Sequence, residues 1–107
     1  MFSKKERLSR AEFSREFPKT KRFHNDFMTL HFLSSAKVQV SVVTGKKVSK
    51  LAVIRNRTRR RVYAALRRNF NKNPKNGIFI IVCKPAIVSL PAALFESEIQ
   101  KLLALTP

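Results

Sequence analysis

One stretch constrains this chain more than any other: KKVSKLAVIRNRTRRRVYAALRRNF, from Lys46 to Phe70. It holds 10 of the chain's 23 Lys and Arg residues and no Asp or Glu. Between Arg55 and Arg61, five of seven residues are arginine. Such a density of guanidinium groups must be solvated by water or neutralised by a polyanion, so the segment has to lie on a surface. The wider charge pattern favours the polyanion. All six acids fall at Glu6, Glu12, Glu16, Asp26, Glu96 and Glu98, which leaves residues 27–95 with 14 cations and no carboxylate. A surface built only for solubility mixes its signs. A formal charge of +17, segregated in this way, is the footprint of a nucleic-acid binder.

The same segment predicts a helix from about Asn56 to Phe70. At 100° per residue Val62, Tyr63, Leu66 and Phe70 share one face, and Arg57, Arg60, Arg61, Arg67 and Arg68 share the other. Arg59 projects toward the apolar side. Asn56 is the expected N-cap, and arginines at such a helix start oppose its dipole unless an anion is bound there. The apolar Leu51–Ile54 run ahead of it reads as a short strand.

The remaining chain reads as one domain of residues 1–107, with residues 1–8 a flexible basic lead. Ser9 and Glu12 form a capping box, opening a short helix that Pro18 stops. Phe13 and Phe17 lie one turn apart on that helix, either as core anchors or as a platform on which a nucleotide can stack. Phe27–Leu33 and Val38–Val42 alternate with period two and are expected to form an antiparallel hairpin, with His31 on its polar face. Ile78–Cys83 is apolar throughout, as in a central strand covered on both sides. Ser89 or Leu90 is expected to cap a last helix whose buried stripe is Phe95, Ile99, Leu102 and Leu103.

Several functions find no support in the residues. Cys83 is the only cysteine, so no internal disulfide and no thiolate cluster can form. His24 and His31 have no ligand partner at metal spacing. No serine, histidine and acid set suggests nucleophilic catalysis, and Gly45-Lys46-Lys47 lacks the rest of a phosphate-binding loop. Apolar runs are far short of the ~20 residues that span a bilayer. A cytosolic, soluble protein is expected, with no membrane partner.

KK-V-S-K-L-AV-I-RNR-T-RR resembles the signature of the bacterial ribonuclease P protein component. The early helix with Phe13 and Phe17, the paired strands, Lys84-Pro85-Ala86 and the closing helix agree in order. The resemblance implies an α+β fold: an αβββαβα two-layer sandwich, with helices packed on a small mixed sheet. Its βαβ crossover would have an unusual left hand, as in ribosomal protein S5 domain 2-like folds. It implies a subunit that assists removal of the 5′ leader from precursor tRNA, with chemistry and Mg2+ carried by the catalytic RNA. The protein would then hold no catalytic residue, metal or small-molecule cofactor of its own, and would be monomeric when free. Carried onto this chain, catalytic-RNA contacts fall on Lys46, Lys47, Arg55, Asn56, Arg57, Arg59, Arg60, Arg61, Arg67 and Arg68. Leader contacts fall on Phe13, Phe17, Leu30 and Arg59. Ser49 stands where glycine is usual, and Tyr63 where a basic residue is usual. The remaining readings are a small ribosomal RNA-binding protein and a helix-in-groove DNA-binding module.

Overall fold

A computed structural model describes residues 2–107. The elements in order are α1 (Arg10–Glu16), β1 (Lys21–His24), β2 (Met28–Leu33), β3 (Val38–Val43), α2 (Ala52–Lys72), β4 (Gly77–Cys83) and α3 (Phe95–Leu103). The four strands form one mixed sheet in the order β1-β2-β4-β3. Both β1–β2 and β2–β4 are antiparallel, while β3–β4 is parallel and is joined through α2. The result is the expected α+β sandwich with helices on a small mixed sheet.

The alternation in β2 and β4 sorts side chains between the two faces. Met28, Leu30 and Phe32 from β2, with Phe79, Ile81 and Cys83 from β4, meet Val62, Leu66 and Phe70 of α2 in the main core. Four apolar residues of α3, Phe95, Ile99, Leu102 and Leu103, close that core. Each such side chain contributes roughly 1.5–3 kcal/mol when fully buried. Ile78 and Ile80 are also buried but belong to the opposite face. That double burial is why β4 reads as an unbroken apolar run. Burial pushes the Cys83 thiol up to about 12, leaving it inert.

Four expectations change. The predicted hairpin is absent: β2 and β3 are not paired, because β4 lies between them. Alternation specifies which face a strand buries, not which strand it pairs with. The third strand is not Leu51–Ile54 but β1, whose KRFH sequence carries one inward apolar residue, Phe23, and suits a short charged edge strand. Leu51 instead caps α2, and Ala52–Ile54 form its first turn; a short apolar run cannot by itself distinguish helix from strand. Asn56 is therefore inside the helix, not at its cap. Finally, α3 begins at Phe95, after 3-10 turns at Pro85–Ser89 and Ala92–Leu94, and neither Ser89 nor Leu90 caps it.

The basic lead is packed onto the fold. Phe2 is 6% exposed and sits edge-on to Phe70, 6.0 Å between ring centroids. Lys4–Glu6 make one 3-10 turn. Arg7 then bridges Val40 in parallel register, and the Leu8 N–H donates to the Val40 carbonyl at 3.0 Å. The lead thus straps the outer edge of β3, shielding it from other strands. Met1 lies outside the described residues.

Candidate nucleic-acid interface

α2 presents its arginines in two groups. Arg57, Arg60 and Arg61 are exposed on the side away from the core, and none has a carboxylate partner among the described residues. Exposed Val53 precedes them on the same side of the helix. Lys46 and Lys47 are exposed in the loop between β3 and α2. That loop is pinned by buried Val48, and its N–H donates to the Gly45 carbonyl at 3.0 Å.

Arg55 and Asn56 have internal tasks. Arg55 Nη1 donates to the carbonyls of Ser49 and Lys50, both at 2.9 Å, and the Arg55 carbonyl accepts from Thr44 Oγ1 at 3.3 Å. It ties the lysine-bearing loop to the helix, and so sets where Lys46 and Lys47 stand. Asn56 Oδ1 accepts from Arg59 Nη2 at 2.7 Å. That bond aims a half-buried Arg59 toward the helix start.

Farther along, the cations are clasped. Arg67 Nη2 donates to Glu6 Oε1 at 2.9 Å, and its guanidinium lies 4.1 Å from the centre of the Phe2 ring. Arg68 and Lys72 both bind Glu96, at 3.3 and 3.0 Å. Glu6 and Glu96 are held ionised below the usual carboxylate range. The Ser3 backbone N–H is the larger cause for Glu6, followed by Arg67; for Glu96 it is Lys72, then Arg68. Arg67 and Arg68, expected on the RNA face, are thus ion-paired within the fold. Carboxylates distant in the sequence fold back upon them, which helical periodicity alone does not reveal.

On the second face of the sheet, Phe13 and Phe17 stack 5.1 Å apart at 13°. Phe17 lies over His31, 4.4 Å between ring centroids. His31, expected on the polar face of its strand, lies on the face opposite the main core and is 8% exposed beneath Phe17. Thr20 Oγ1 donates its one proton to the Phe17 carbonyl at 2.8 Å. His31 Nδ1, 3.2 Å from that hydroxyl, must then be the donor. Burial, and secondarily Arg22 on the edge strand, lowers the imidazole's pKa, so the ring is neutral at pH 7. Glu12 holds α1 against the sheet by accepting from Gln39 Nε2 at 2.9 Å. The result is an aromatic ladder, half-exposed at Phe13 and Phe17, above a strand row that pairs His31 with Arg22.

Leu30 does not belong to this groove. It is 0% exposed and faces α2, because residues 30 and 31 of one strand point to opposite faces. Arg22 is the residue that sequence reasoning missed here: with no strand assigned at 21–24, nothing placed it beside His31.

No helix among the described residues is long and apolar enough to cross a membrane. A family model for ribonuclease P matches residues 2–106. The ribonuclease P protein component of Pseudanabaena sp. (strain PCC 6903) is 33% identical over 95 residues, covering 85% of this chain and 81% of the relative. The RNase P protein from Thermotoga maritima superposes with a TM-score of 0.80 at 21% identity, covering 95% of this chain and 99% of that one. The Staphylococcus aureus RNase P protein gives 0.75 at 17% identity, over 92% and 93% of the two chains. These structures share the fold, and the ribosomal alternative falls away. The chain belongs to the ribonuclease P protein family: it is the protein component of an endoribonuclease whose holoenzyme contains RNA.

Proposed function

We propose that this chain binds the catalytic RNA of ribonuclease P through the ridge of Arg57, Arg60 and Arg61, with Lys46 and Lys47 beside it. The single-stranded 5′ leader of precursor tRNA runs along the groove of Phe13, Phe17 and Arg22. Arg59, oriented by Asn56, stands where the two RNAs meet. The observation that carries this reading is the set of exposed arginines, uncompensated by any carboxylate among the described residues, on a helix whose later arginines are compensated. Lys and Arg on such a ridge gain affinity by displacing counterions from phosphates. Stacking on an aromatic platform adds roughly 1–3 kcal/mol per base without demanding a sequence.

In this reading the RNA supplies the hydrolytic chemistry and holds the Mg2+, and the protein acts in the cytoplasm as a monomer until it meets that RNA. Residues 27–95 offer no carboxylate to bind a divalent cation or act as a base. The chain's contribution is to screen phosphate repulsion and hold the leader in place. Reconstitution tests it. Added to a bacterial catalytic RNA, the protein should lower the Mg2+ needed to cleave precursor tRNA and should cleave nothing alone. No change in the Mg2+ requirement would overturn the proposal.

A further inference from the structure

At the end of β3 opposite Lys46 and Lys47, the strap, β3 and α2 surround an open notch of about 980 Å³. β3 has six residues, so the two ends stand roughly 20 Å apart. Lys4, Lys5, Arg7 and Lys37 line the notch, with Gln39 and Tyr63. All four cations are exposed, and none is in an ion pair among the described residues. Two carboxylates also line it, Glu6 and Glu12. Four cations less two acids leaves a formal +2. Glu6 is already balanced by Arg67, which raises the effective surplus toward +3. Glu12 spends its oxygens on the Ser9 N–H and Gln39 Nε2.

The backbone that carries three of the cations is anchored. Phe2 is buried, Glu6 is fastened to Arg67, and Leu8 is bonded to Val40, so the strap backbone between them loses little freedom when a ligand arrives. Tyr63 is likewise fixed, its hydroxyl accepting from the Val42 N–H at 3.2 Å. A concave site with several cations and one fixed aromatic ring fits a flexible strand, whereas duplex RNA is recognised through 2′-OH and phosphate contacts spread over successive grooves, a wider surface than the notch.

We propose that this notch is a second RNA site, taking the phosphodiester backbone of a short single-stranded ribonucleotide segment. It rests on the reading of the chain as an RNA binder but uses none of the ridge residues. The segment can come from the distal leader of precursor tRNA or from an unpaired part of the catalytic RNA.

A holoenzyme carrying Lys4→Gln, Lys5→Gln, Arg7→Gln and Lys37→Gln separates the sources. One arm measures protein affinity for the catalytic RNA against salt. The other measures holoenzyme affinity for precursor tRNAs with progressively longer leaders. Each lost phosphate contact should flatten the slope of log K against log salt by about 0.7. Loss in the first arm identifies the catalytic RNA; loss confined to long leaders identifies the leader. Unchanged affinity and slope in both arms, while an Arg57, Arg60 and Arg61 variant loses binding, overturns the notch and leaves the ridge standing. A wild-type protein that binds neither RNA overturns the RNA reading as a whole. If thermal melts show that the fourfold variant has unseated the strap, Lys37→Gln, which lies off the strap, is measured in the same arms. An unchanged slope there is equally fatal.

Discussion

The two halves of α2 are both rich in arginine, yet they differ in what neutralises them. Arg57, Arg60 and Arg61 stand without a carboxylate among the described residues, whereas Arg67, Arg68 and Lys72 are met by Glu6 and Glu96. Those acids lie 61 and 28 residues from Arg67 and Arg68. Composition assigns all these cations to one partner; the fold divides them between those it leaves open and those the chain itself neutralises. An exposed arginine, then, is evidence for a polyanion only after the tertiary structure has had its chance to supply an acid.

The largest expected effect removes the open half. Arg57→Ala, Arg60→Ala and Arg61→Ala together should flatten the salt slope of catalytic-RNA binding by roughly 2–3 units, at about 0.7–0.9 per lost phosphate contact, and leave the melting temperature nearly unchanged. A large fall in thermal stability with an intact slope would reverse the assignment of the two halves. Arg67→Ala should do the opposite: its cation–π contact with Phe2 and half-exposed ion pair with Glu6 are together worth about 1–2 kcal/mol. Denaturant unfolding should show that loss, beside an unaltered RNA salt slope. Glu96→Gln sharpens the contrast by releasing Arg68 and Lys72; RNA affinity measured at low salt should rise slightly, with a steeper salt dependence. If it does not, these two cations lie outside the RNA footprint even when free.

The smallest effect is on pH. Glu12 is held at about 2, well below its ordinary 4.5, by the Ser9 backbone N–H first and then by Gln39. A carboxylate depressed on folding stabilises fully above 4.5, and that contribution is lost as pH falls toward 2. NMR of the Glu12 carboxyl carbon should follow this window. Phe13 and Phe17 ring resonances should shift with it, because the same carboxylate seats α1 on β3. Gln39→Ala should raise the midpoint only partway, since Ser9 remains.

Much of the architecture could be read from local signals. The Ser9–Glu12 capping box, the α2 face of Val62, Leu66 and Phe70, the apolar β4 and the α3 stripe all rest on contacts or periodicities within one element. What escaped depends on distance along the chain. β2 and β3 each showed which face they bury, but their shared neighbour arrives only at residue 77. β1 carries a single inward apolar residue, too little to set a period. Phe2 looks like part of a polar lead until Phe70 and Tyr63 surround it. The ridge was legible because it needs exposure alone; the clasps on Arg67 and Arg68 were not, because each needs a partner from another element.

Strand order carries a consequence for how the molecule is made. β4, the middle of the sheet, leaves the ribosome after β1, β2 and β3. Until it does, β3 has no neighbour in the sheet and β2 has only the short β1, while the apolar side of the cationic helix lacks the β4 and α3 side chains that complete its cover. Assembly must therefore wait on contacts between remote segments, which are slow to form, and truncation ahead of Gly77 should leave an adhesive, unfinished chain, not a smaller folded one.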